Sequence, residues 1–171
     1  MTMAHQPDDL DLKLLTLLLT EPKAGVREYA RRLGIARGTA QSRIEKLVAS
    51  GAITSLSPHL DPAALGFPLY AHIQLQLRQL HLDAVVAQLA EIPEIIQADS
   101  SAGQHDLVCQ VVAKDHNHLE RITMKMMAID GVERIQTEVM LRHRIQRRTL
   151  PLLAMMRKEL RATAPRIDSS S

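Results

Sequence analysis

The chain has 171 residues, with 21 Lys and Arg against 19 Asp and Glu, and its 46% apolar and 23% charged residues are typical of a globular protein rather than a disordered one. Aromatic residues make up only 2%, without Trp, which argues against a surface that binds bases by stacking. The single cysteine, Cys109, excludes an intrachain disulfide framework and a multi-cysteine zinc site, and it favours a reducing compartment.

The small net charge hides a strong segregation along the chain. Residues 1–60 carry a net charge of +2, residues 61–141 carry −6 and residues 142–171 carry +6. Residues 27–46 hold six basic side chains against two acidic ones. An acidic middle between basic ends indicates that only part of the molecule meets a polyanion, although solvated helix faces would give the same pattern.

Nothing at the N-terminus resembles a targeting segment, because residues 1–9 lack a basic region. The Leu-rich run at residues 14–19 is far too short to span a bilayer. We therefore expect a cytoplasmic protein with no membrane partner.

Three short helical patterns follow one another in the N-terminal segment. Apolar residues recur with helical period from Leu10 to Leu18, after acidic residues that suit a helix start. A second stripe covers residues 26–33 and ends at Gly34. A third stripe begins at Ala36 and ends at Gly51. Two helices joined by so tight a glycine turn are typical of a helix-turn-helix.

The third helix is the predicted recognition helix. Short polar side chains let a helix approach the major groove, and Gln and Arg can make paired hydrogen bonds to base edges. The predicted DNA-binding residues are Arg37, Gly38, Thr39, Gln41, Ser42, Arg43 and Lys46. A helical hairpin whose polar face only meets water would show the same pattern.

A β-prone stretch at residues 52–56 predicts one arm of a small wing, which would complete a winged helix-turn-helix at residues 1–56. Its Thr54 and Ser55 could contact phosphate or only form a turn. Residues 57–68 contain three prolines and a glycine, and this composition predicts a hinge or linker.

The hydrophobic period then changes to two, and residues 71–78 alternate between apolar and polar without a break, as in a strand with one buried face. The elements expected after it are a helix at 82–89, strands at 95–101 and 107–113, a helix after Asp115 and a strand at 132–141. The order βαββαβ predicts a ferredoxin-like domain at residues 69–149 in an α+β protein. Because its helices lie on one face of the sheet, the other face favours dimerisation.

Several short motifs, weak alone, occur in a specific order: Asp9-Leu10-Asp11, Gly34 to Ala40, Arg43 to Leu47, Gly51-Ala52-Ile53, Leu60 to Gly66 and Ser101 to Asp106. Together they resemble the Lrp/AsnC family of bacterial and archaeal transcription regulators, over about residues 8–150. The resemblance implies a sequence-specific regulator that binds double-stranded DNA as a homodimer, which assembles further to a tetramer or octamer. It implies an amino-acid effector and no other cofactor.

The resemblance also implies an effector cleft at the turn between the second and third strands. The effector-binding residues it suggests are Ser101, Gly103, Gln104, His105, Asp106 and Thr137. We expect Gly103 to allow a tight backbone that offers amides to a carboxylate, and Asp106 to pair with an α-ammonium group. The alternative is that these turn residues are structural. A DNA-free small-molecule-binding or protein-interaction module of the same fold is the alternative function.

The chain departs from the family at two positions, Ala36 and His105. Ala36 stands where a capping Ser is common, so the recognition helix is expected to lack a side-chain cap worth about 1 kcal/mol. His105 replaces a larger or aromatic residue. Residues 150–171 form an extra region, expected to be an amphipathic helix at 150–160 and a disordered tail at 165–171. The helix could pack on the assembly, which we favour, or its basic residues Arg157, Lys158 and Arg161 could touch DNA.

An enzyme is the main rival of another class. Cys109 lies in an apolar strand and is expected to be an inert core residue. His116 and His118 are two positions apart on a helix, which splays the imidazoles roughly 200° apart, so we expect surface histidines and no metal site. No phosphate loop or dinucleotide motif occurs. We therefore expect no catalytic residues.

Overall fold

The structure, a computed structural model, describes residues 6–78 and 82–163. The disordered tail expected at 165–171 lies outside these residues. The chain divides into two compact units: a helical unit, up to Pro58 and again from Gln146 onward, and a sheet unit, His59–Ile145. The boundary between Pro58 and His59 falls inside the predicted linker. The sequence did not predict that the segment from Gln146 onward belongs to the helical unit.

The described elements follow in chain order: α1 (Asp9–Thr20), α2 (Val26–Leu33), α3 (Arg37–Ala49), β1 (Leu69–Leu77), α4 (Leu82–Ala90), β2 (Ile95–Ser100), β3 (Leu107–Ala113), α5 (His116–Met127), β4 (Val132–Met140) and α6 (Leu150–Thr163). None of the helices in these residues is long and apolar enough to cross a membrane.

A reciprocal cap starts α1. The Asp8 carboxylate accepts a hydrogen bond from the Asp11 amide at 2.8 Å, and the Asp11 carboxylate accepts one from the Asp8 amide at 3.2 Å. This capping box satisfies two amides that the helix leaves free, which confirms the expected role of the acidic residues.

The helical unit packs around a cluster of Leu14, Tyr29, Ile44 and Leu47, which come from α1, α2 and α3. Leu12 of α1 is also fully buried, although it lies outside the predicted apolar stripe. Since α1 contacts α6 as well as α2 and α3, it buries residues on more than one side.

A three-residue turn joins α2 to α3. Gly34 adopts a left-handed conformation with φ of +66°, which a side chain would disfavour. The Ile35 amide donates to the Ala30 carbonyl at 3.0 Å, which closes the end of α2. Ala36 precedes α3 without a side-chain cap, as expected.

The expected wing strand at residues 52–56 does not form. The segment folds back onto α3 instead, because the Ile53 amide donates to the Leu47 carbonyl at 3.0 Å and the Ile53 side chain packs on the helical cluster. The helical unit has no strand among its described residues with which this segment could pair.

The sheet unit has the predicted βαββαβ order, and its strands lie in the order β2-β3-β1-β4 with every neighbouring pair antiparallel. The register places Ile73 of β1 opposite Cys109 of β3 and Thr137 of β4. A β-bulge at Gln76 and Leu77 ends the regular pairing of β1 with β4.

Alternate residues of the strands face α4 and α5 and form the core. The buried core residues are Ala71, Ile73, Leu75, Val85, Leu89, Ile92, Leu107, Cys109, Val111, Ala113, Leu119, Ile122, Met126 and Ile129. The opposite face carries half-buried or exposed side chains such as His72, Gln74 and Gln110. One face of the sheet is therefore apolar and covered, and the other is largely polar.

Candidate functional site

The outward surface of α3 is open to solvent. Ala40, Ile44 and Leu47 turn inward and are buried. The predicted DNA-binding residues that the structure leaves exposed are Arg37, Gly38, Thr39, Gln41, Ser42 and Lys46. Helical periodicity explains this division, because residues three and four apart share one face.

Acidic partners neutralise two of the basic side chains of α2. Arg31 donates two hydrogen bonds to Glu28, and Arg32 contacts both Glu28 and Glu21. The hydrogen bonds from Arg31, and then those from Arg32, lower the pKa of Glu28 to about 2. These two cations are therefore less available to a polyanion than the sequence suggests.

Three other cations of the 27–46 segment have no acidic partner among the residues that the structure describes: Arg27, Arg37 and Lys46. Arg37 opens α3, and Lys46 lies in its last turn. The recognition helix thus presents an unpaired positive charge near each end, with Thr39, Ser42 and Gln41 between them. Of these three polar residues, Gln41 alone forms a side-chain hydrogen bond with another described residue, through its amide to Glu45 at 2.8 Å.

Arg43, which was predicted to contact DNA, is engaged within the helical unit. Its guanidinium Nη1 lies 2.8 Å from Asp8 Oδ2 and 2.7 Å from Asp11 Oδ1, so it binds the start of α1 rather than projecting outward. The hydrogen bonds that Arg43 donates to Asp11, and then those to Asp8, raise the pKa of Arg43. Asp11 is 1% exposed, which makes this a largely buried contact between α1 and α3. Arg43 therefore positions the recognition helix.

The turn between β2 and β3 uses most of its polar groups internally. The Ser101 amide donates to the Asp106 carbonyl at 2.9 Å, and the Gly103 amide faces Ser101 Oγ at 3.3 Å. Asp106 Oδ2 accepts the Leu77 amide at 2.7 Å. One oxygen of the Asp106 carboxylate thus has a structural role, because it secures the end of β1, and the pairing of Asp106 with an ammonium group stays a prediction.

Glycine is not required at position 103 for a tight backbone. Gly103 is not among the glycines with positive φ, and a Cβ there would meet Ser101 Oγ at 3.5 Å, an ordinary contact. The backbone does bend at residues 102–106, as expected, but the bend at position 103 does not need a glycine. Its amide is also already directed at Ser101 rather than free for a carboxylate.

Two residues of the same turn do line an open cavity. Gln104 and His105 surround a space of about 470 Å³ together with Gln76, Arg134 and Gln136. Arg134 is exposed and forms no ion pair or hydrogen bond with any described residue. This polar cavity combines one free guanidinium with three side-chain amides, which suits a small ligand that carries a carboxylate.

Sequence reasoning missed Gln76, Arg134 and Gln136, which come from β1 and β4. The register pairs Gln76 with Arg134 directly, and Gln136 lies two residues further along the same face. The signal available in the sequence was that all three lie at polar positions of strands in which apolar and polar residues alternate. Their meeting at the turn depends on the pairing of β1 with β4, which a local pattern does not specify.

Thr137 lies on the other face of the sheet. It stands opposite Ile73, whose side chain is fully buried on the helix-covered side, and directly paired residues share a face. The polar cavity is on the side of Gln136. Thr137 therefore does not line this cavity, because a shift of one residue along a strand reverses the face, and its role at an effector site stays a prediction.

The candidates for other chemistry occupy structural positions. Cys109 is fully buried, and this burial, with the nearby charge of Asp99, raises the pKa of its thiol to about 11. His116 is exposed as expected, but His118 is not a surface residue: its side chain is 14% exposed and lies 3.1 Å from Glu94. Among the described residues, no group of three or more His, Cys, Asp or Glu could hold a metal ion.

Comparison with known protein families matches both units. Residues 8–48 match the AsnC-type helix-turn-helix domain, and residues 70–150 match the Lrp/AsnC ligand binding domain. All of α6 beyond its first residue lies outside the matched regions.

The sequence is also similar to archaeal regulators. The HTH-type transcriptional regulator FL11 of Pyrococcus horikoshii is 30% identical over 145 residues, which span 85% of this chain and 96% of FL11. The HTH-type transcriptional regulator Ptr1 of Methanocaldococcus jannaschii is 32% identical over 108 residues, which span 63% of this chain and 73% of Ptr1.

Solved structures share the fold. The structure of Escherichia coli AsnC matches with a TM-score of 0.78 and 23% identity, over 84% of this chain and 98% of AsnC. A transcriptional regulator of Neisseria meningitidis, solved as a complex with L-Met, matches with a TM-score of 0.78 and 20% identity, over 88% of this chain and 99% of that protein.

Proposed function

The chain belongs to the Lrp/AsnC family of transcriptional regulators, and on this premise we propose that it binds specific DNA through α3 and responds to an amino acid bound at the polar cavity. It is a transcriptional regulator with a helix-turn-helix domain and a ligand-binding domain. This function requires no catalytic residue.

The exposed surface of α3 carries the DNA-binding proposal. Its unpaired cations, Arg37 and Lys46, would contact phosphates or guanine edges, and the short side chains between them would let the helix enter the major groove. The residues proposed to face DNA are Arg37, Gly38, Thr39, Gln41, Ser42 and Lys46. Arg43 supports them from behind through its contact with α1.

A homodimer fits this mode of binding. Two recognition helices related by a twofold axis would enter successive major grooves about one helical turn apart. The largely polar face of the sheet is the surface that we assign to pairing, with further assembly to a tetramer or octamer. Such a regulator would act in the cytoplasm, where bacterial and archaeal DNA lies.

The polar cavity would bind the effector by its carboxylate. The Arg134 guanidinium can form two parallel hydrogen bonds with a carboxylate, and the amides of Gln76, Gln104 and Gln136 can accept from an ammonium group. His105 at the edge of the cavity would contact the side chain of the effector. The L-Met complex of the structurally similar Neisseria protein supports an amino acid as the ligand class.

A salt series tests the DNA-binding proposal. The full chain should bind DNA from upstream of its own coding region more tightly than random DNA, and the affinity should fall steeply with salt. Lys46→Ala should weaken binding and reduce the salt slope by about 1 for each lost phosphate contact. Lys125→Ala, an exposed lysine of the sheet unit, is the matched control. Absence of binding even at low salt would favour the DNA-free module.

A panel of amino acids tests the effector proposal independently. One amino acid should bind the DNA-free protein and change its affinity for DNA, because coupling between two sites is reciprocal. Arg134→Ala should abolish amino-acid binding while DNA binding without the effector stays unchanged. Unaltered amino-acid binding in Arg134→Ala would exclude the polar cavity as the effector site.

A further inference from the structure

The sheet unit contains a second cleft, with a lining that shares no residue with the polar cavity. Its volume is about 380 Å³, and its walls are apolar except at Glu94. The main apolar lining residues are Leu60, Leu65, Phe67, Ile96 and Val112. Leu60, Leu65 and Ile96 are all exposed, so the cleft opens to solvent.

One wall is an ordered turn within the segment predicted to be a linker. Asp61 Oδ1 accepts the Ala63 amide at 3.0 Å, and the Phe67 amide donates to the Pro62 carbonyl at 2.9 Å. Gly66 has φ of +92°, a conformation that side chains disfavour. These local bonds fix the shape of the turn and hold Leu65 and Phe67 against the cleft.

Glu94 presents a carboxylate oxygen without a donor. Its Oε1 lies 3.1 Å from His118 Nε2, and His118 Nδ1 accepts the Lys114 amide at 3.2 Å, so the proton of the neutral ring is on Nε2 and is donated to Glu94. The other oxygen, Oε2, is buried and has no hydrogen-bond partner among the described residues. A buried acceptor without a partner is unfavourable, so a ligand that brings an N–H group from the cleft to this oxygen would gain a hydrogen bond.

The neighbouring cation does not supply that donor. The ammonium group of Lys114 lies 5.6 Å from the centre of the Phe67 ring, and it forms no ion pair with Glu94. The cleft therefore combines apolar walls with one unpaired acceptor oxygen.

We propose that this cleft binds a small ammonium compound with an apolar substituent, whose N–H groups donate to Glu94 Oε2 while the substituent packs against Leu65, Phe67 and Val112. The Glu94 carboxylate would repel an apolar anion, and a neutral hydrocarbon could not donate a hydrogen bond to it. The preference of the cleft for one ligand over another therefore depends on the ammonium group. The polar cavity at Arg134 prefers a carboxylate instead, so the two sites would bind ligands of opposite charge. This proposal does not depend on the proposed function.

Calorimetric titration of the full chain with three ligands of one carbon skeleton tests the site. Isoamylamine carries the ammonium group alone, leucine carries both charges and isovalerate carries the carboxylate alone. We expect saturable binding of isoamylamine at millimolar concentrations and none of isovalerate. If leucine binds the Arg134→Ala variant, the natural ligand of the cleft is an apolar amino acid. If isoamylamine binds and leucine does not, the natural ligand is a free amine.

Two variants locate the binding. Glu94→Gln should reduce the affinity for isoamylamine about tenfold or more, because a charge-assisted hydrogen bond is lost, and Glu91→Gln, an exposed neighbour, should not change it. Leu65→Trp should block the cleft without altering Glu94, and Leu65 is 60% exposed, so the larger ring can be accommodated.

Two results would overturn the proposal. The first is isoamylamine affinity that is equal in the unmodified chain, Glu94→Gln and Leu65→Trp. The second is absence of isoamylamine binding to the unmodified chain, and weaker self-association of Glu94→Gln in sedimentation experiments would then assign the unpaired oxygen to a second copy of the chain.

Discussion

The two units of the molecule are stabilised in different ways. Among the residues that the structure describes, the sheet unit buries a core of fourteen apolar residues between the sheet and its two helices, whereas the central cluster of the helical unit has four buried members. The helical unit adds ion pairs between helices, through Arg43 to the start of α1 and through Arg157 of α6 to Asp9. Apolar substitutions should therefore decide the stability of the sheet unit, and charge substitutions that of the helical unit.

The largest effect is expected in the sheet core. Ile73→Ala removes a fully buried side chain from the central strand and leaves a cavity, which should lower the free energy of unfolding by about 3–4 kcal/mol. Urea unfolding of the full chain, followed by circular dichroism, measures it. Thr137→Ala is the matched control, because Thr137 pairs with Ile73 on the same face but is exposed. Equal losses in the two variants would contradict the conclusion that buried apolar contacts decide the stability of the sheet unit.

Arg43→Ala should give the next largest effect. Removing the guanidinium takes the cation away from the largely buried Asp11, and the helical unit should lose about 2 kcal/mol of unfolding free energy. A double-mutant cycle with Asp11→Ala measures the coupling directly. Lys46→Ala should weaken DNA binding with almost no change in stability. An Arg43→Ala variant of normal stability with weak DNA binding would restore Arg43 as a base-contacting residue.

The sequence predicted the sheet unit better than the helical one for a physical reason. Alternation of apolar and polar residues determines which face of a strand is buried, so the order of elements and the ferredoxin-like fold are readable from local patterns. The partner of Arg43 is 35 positions away in Asp8 and 32 positions away in Asp11, and only the packing of α1 on α3 brings them together. Periodicity could not separate this structural cation from the exposed Lys46.

The candidate effector site shows the same limit. The turn residues Gln104 and His105 were predicted from the sequence, because they belong to a recognisable motif. Arg134 was not predicted, because only the pairing of β4 with β1 places it beside the turn residues. The position of Thr137 away from the polar cavity has the same origin, because its face is set by its pairing with Ile73.

A smaller gain of stability is expected at the start of the recognition helix. Ala36 has the extended backbone of a helix cap, with φ of −66° and ψ of 146°, but no side chain that can accept a hydrogen bond. Ala36→Ser should add about 1 kcal/mol to the unfolding free energy of the helical unit by capping an amide of α3. Thermal unfolding measures the gain, and Ala49→Ser at the other end of α3 is the control. An Ala36→Ser variant no more stable than the unmodified chain would mean that water already satisfies these amides.

The smallest expected effect concerns α6 and depends on pH. Hydrogen bonds from Lys13, and then from Arg157, lower the pKa of Asp9 below its ordinary value of 3.8. A carboxylate with a lowered pKa in the folded state stabilises that state above its unfolded pKa, and the contribution is lost as pH falls through the folded value. Arg157→Ala should therefore cost about 0.5 kcal/mol at neutral pH, as partly exposed ion pairs do, and less below pH 3.8.

Urea unfolding at neutral and acidic pH measures this difference, with Lys158→Ala as the control, because Lys158 is exposed and has no acidic partner among the described residues. A loss for Arg157→Ala that is equal at both pH values would not come from charge. It would come from the aliphatic stem of Arg157 packed against α1, since a long side chain can cover apolar surface with its methylene groups. In that case α6 would be held on α1 by apolar contacts, the kind of contact that stabilises the sheet unit. Arg43 alone would then support the conclusion that ion pairs stabilise the helical unit.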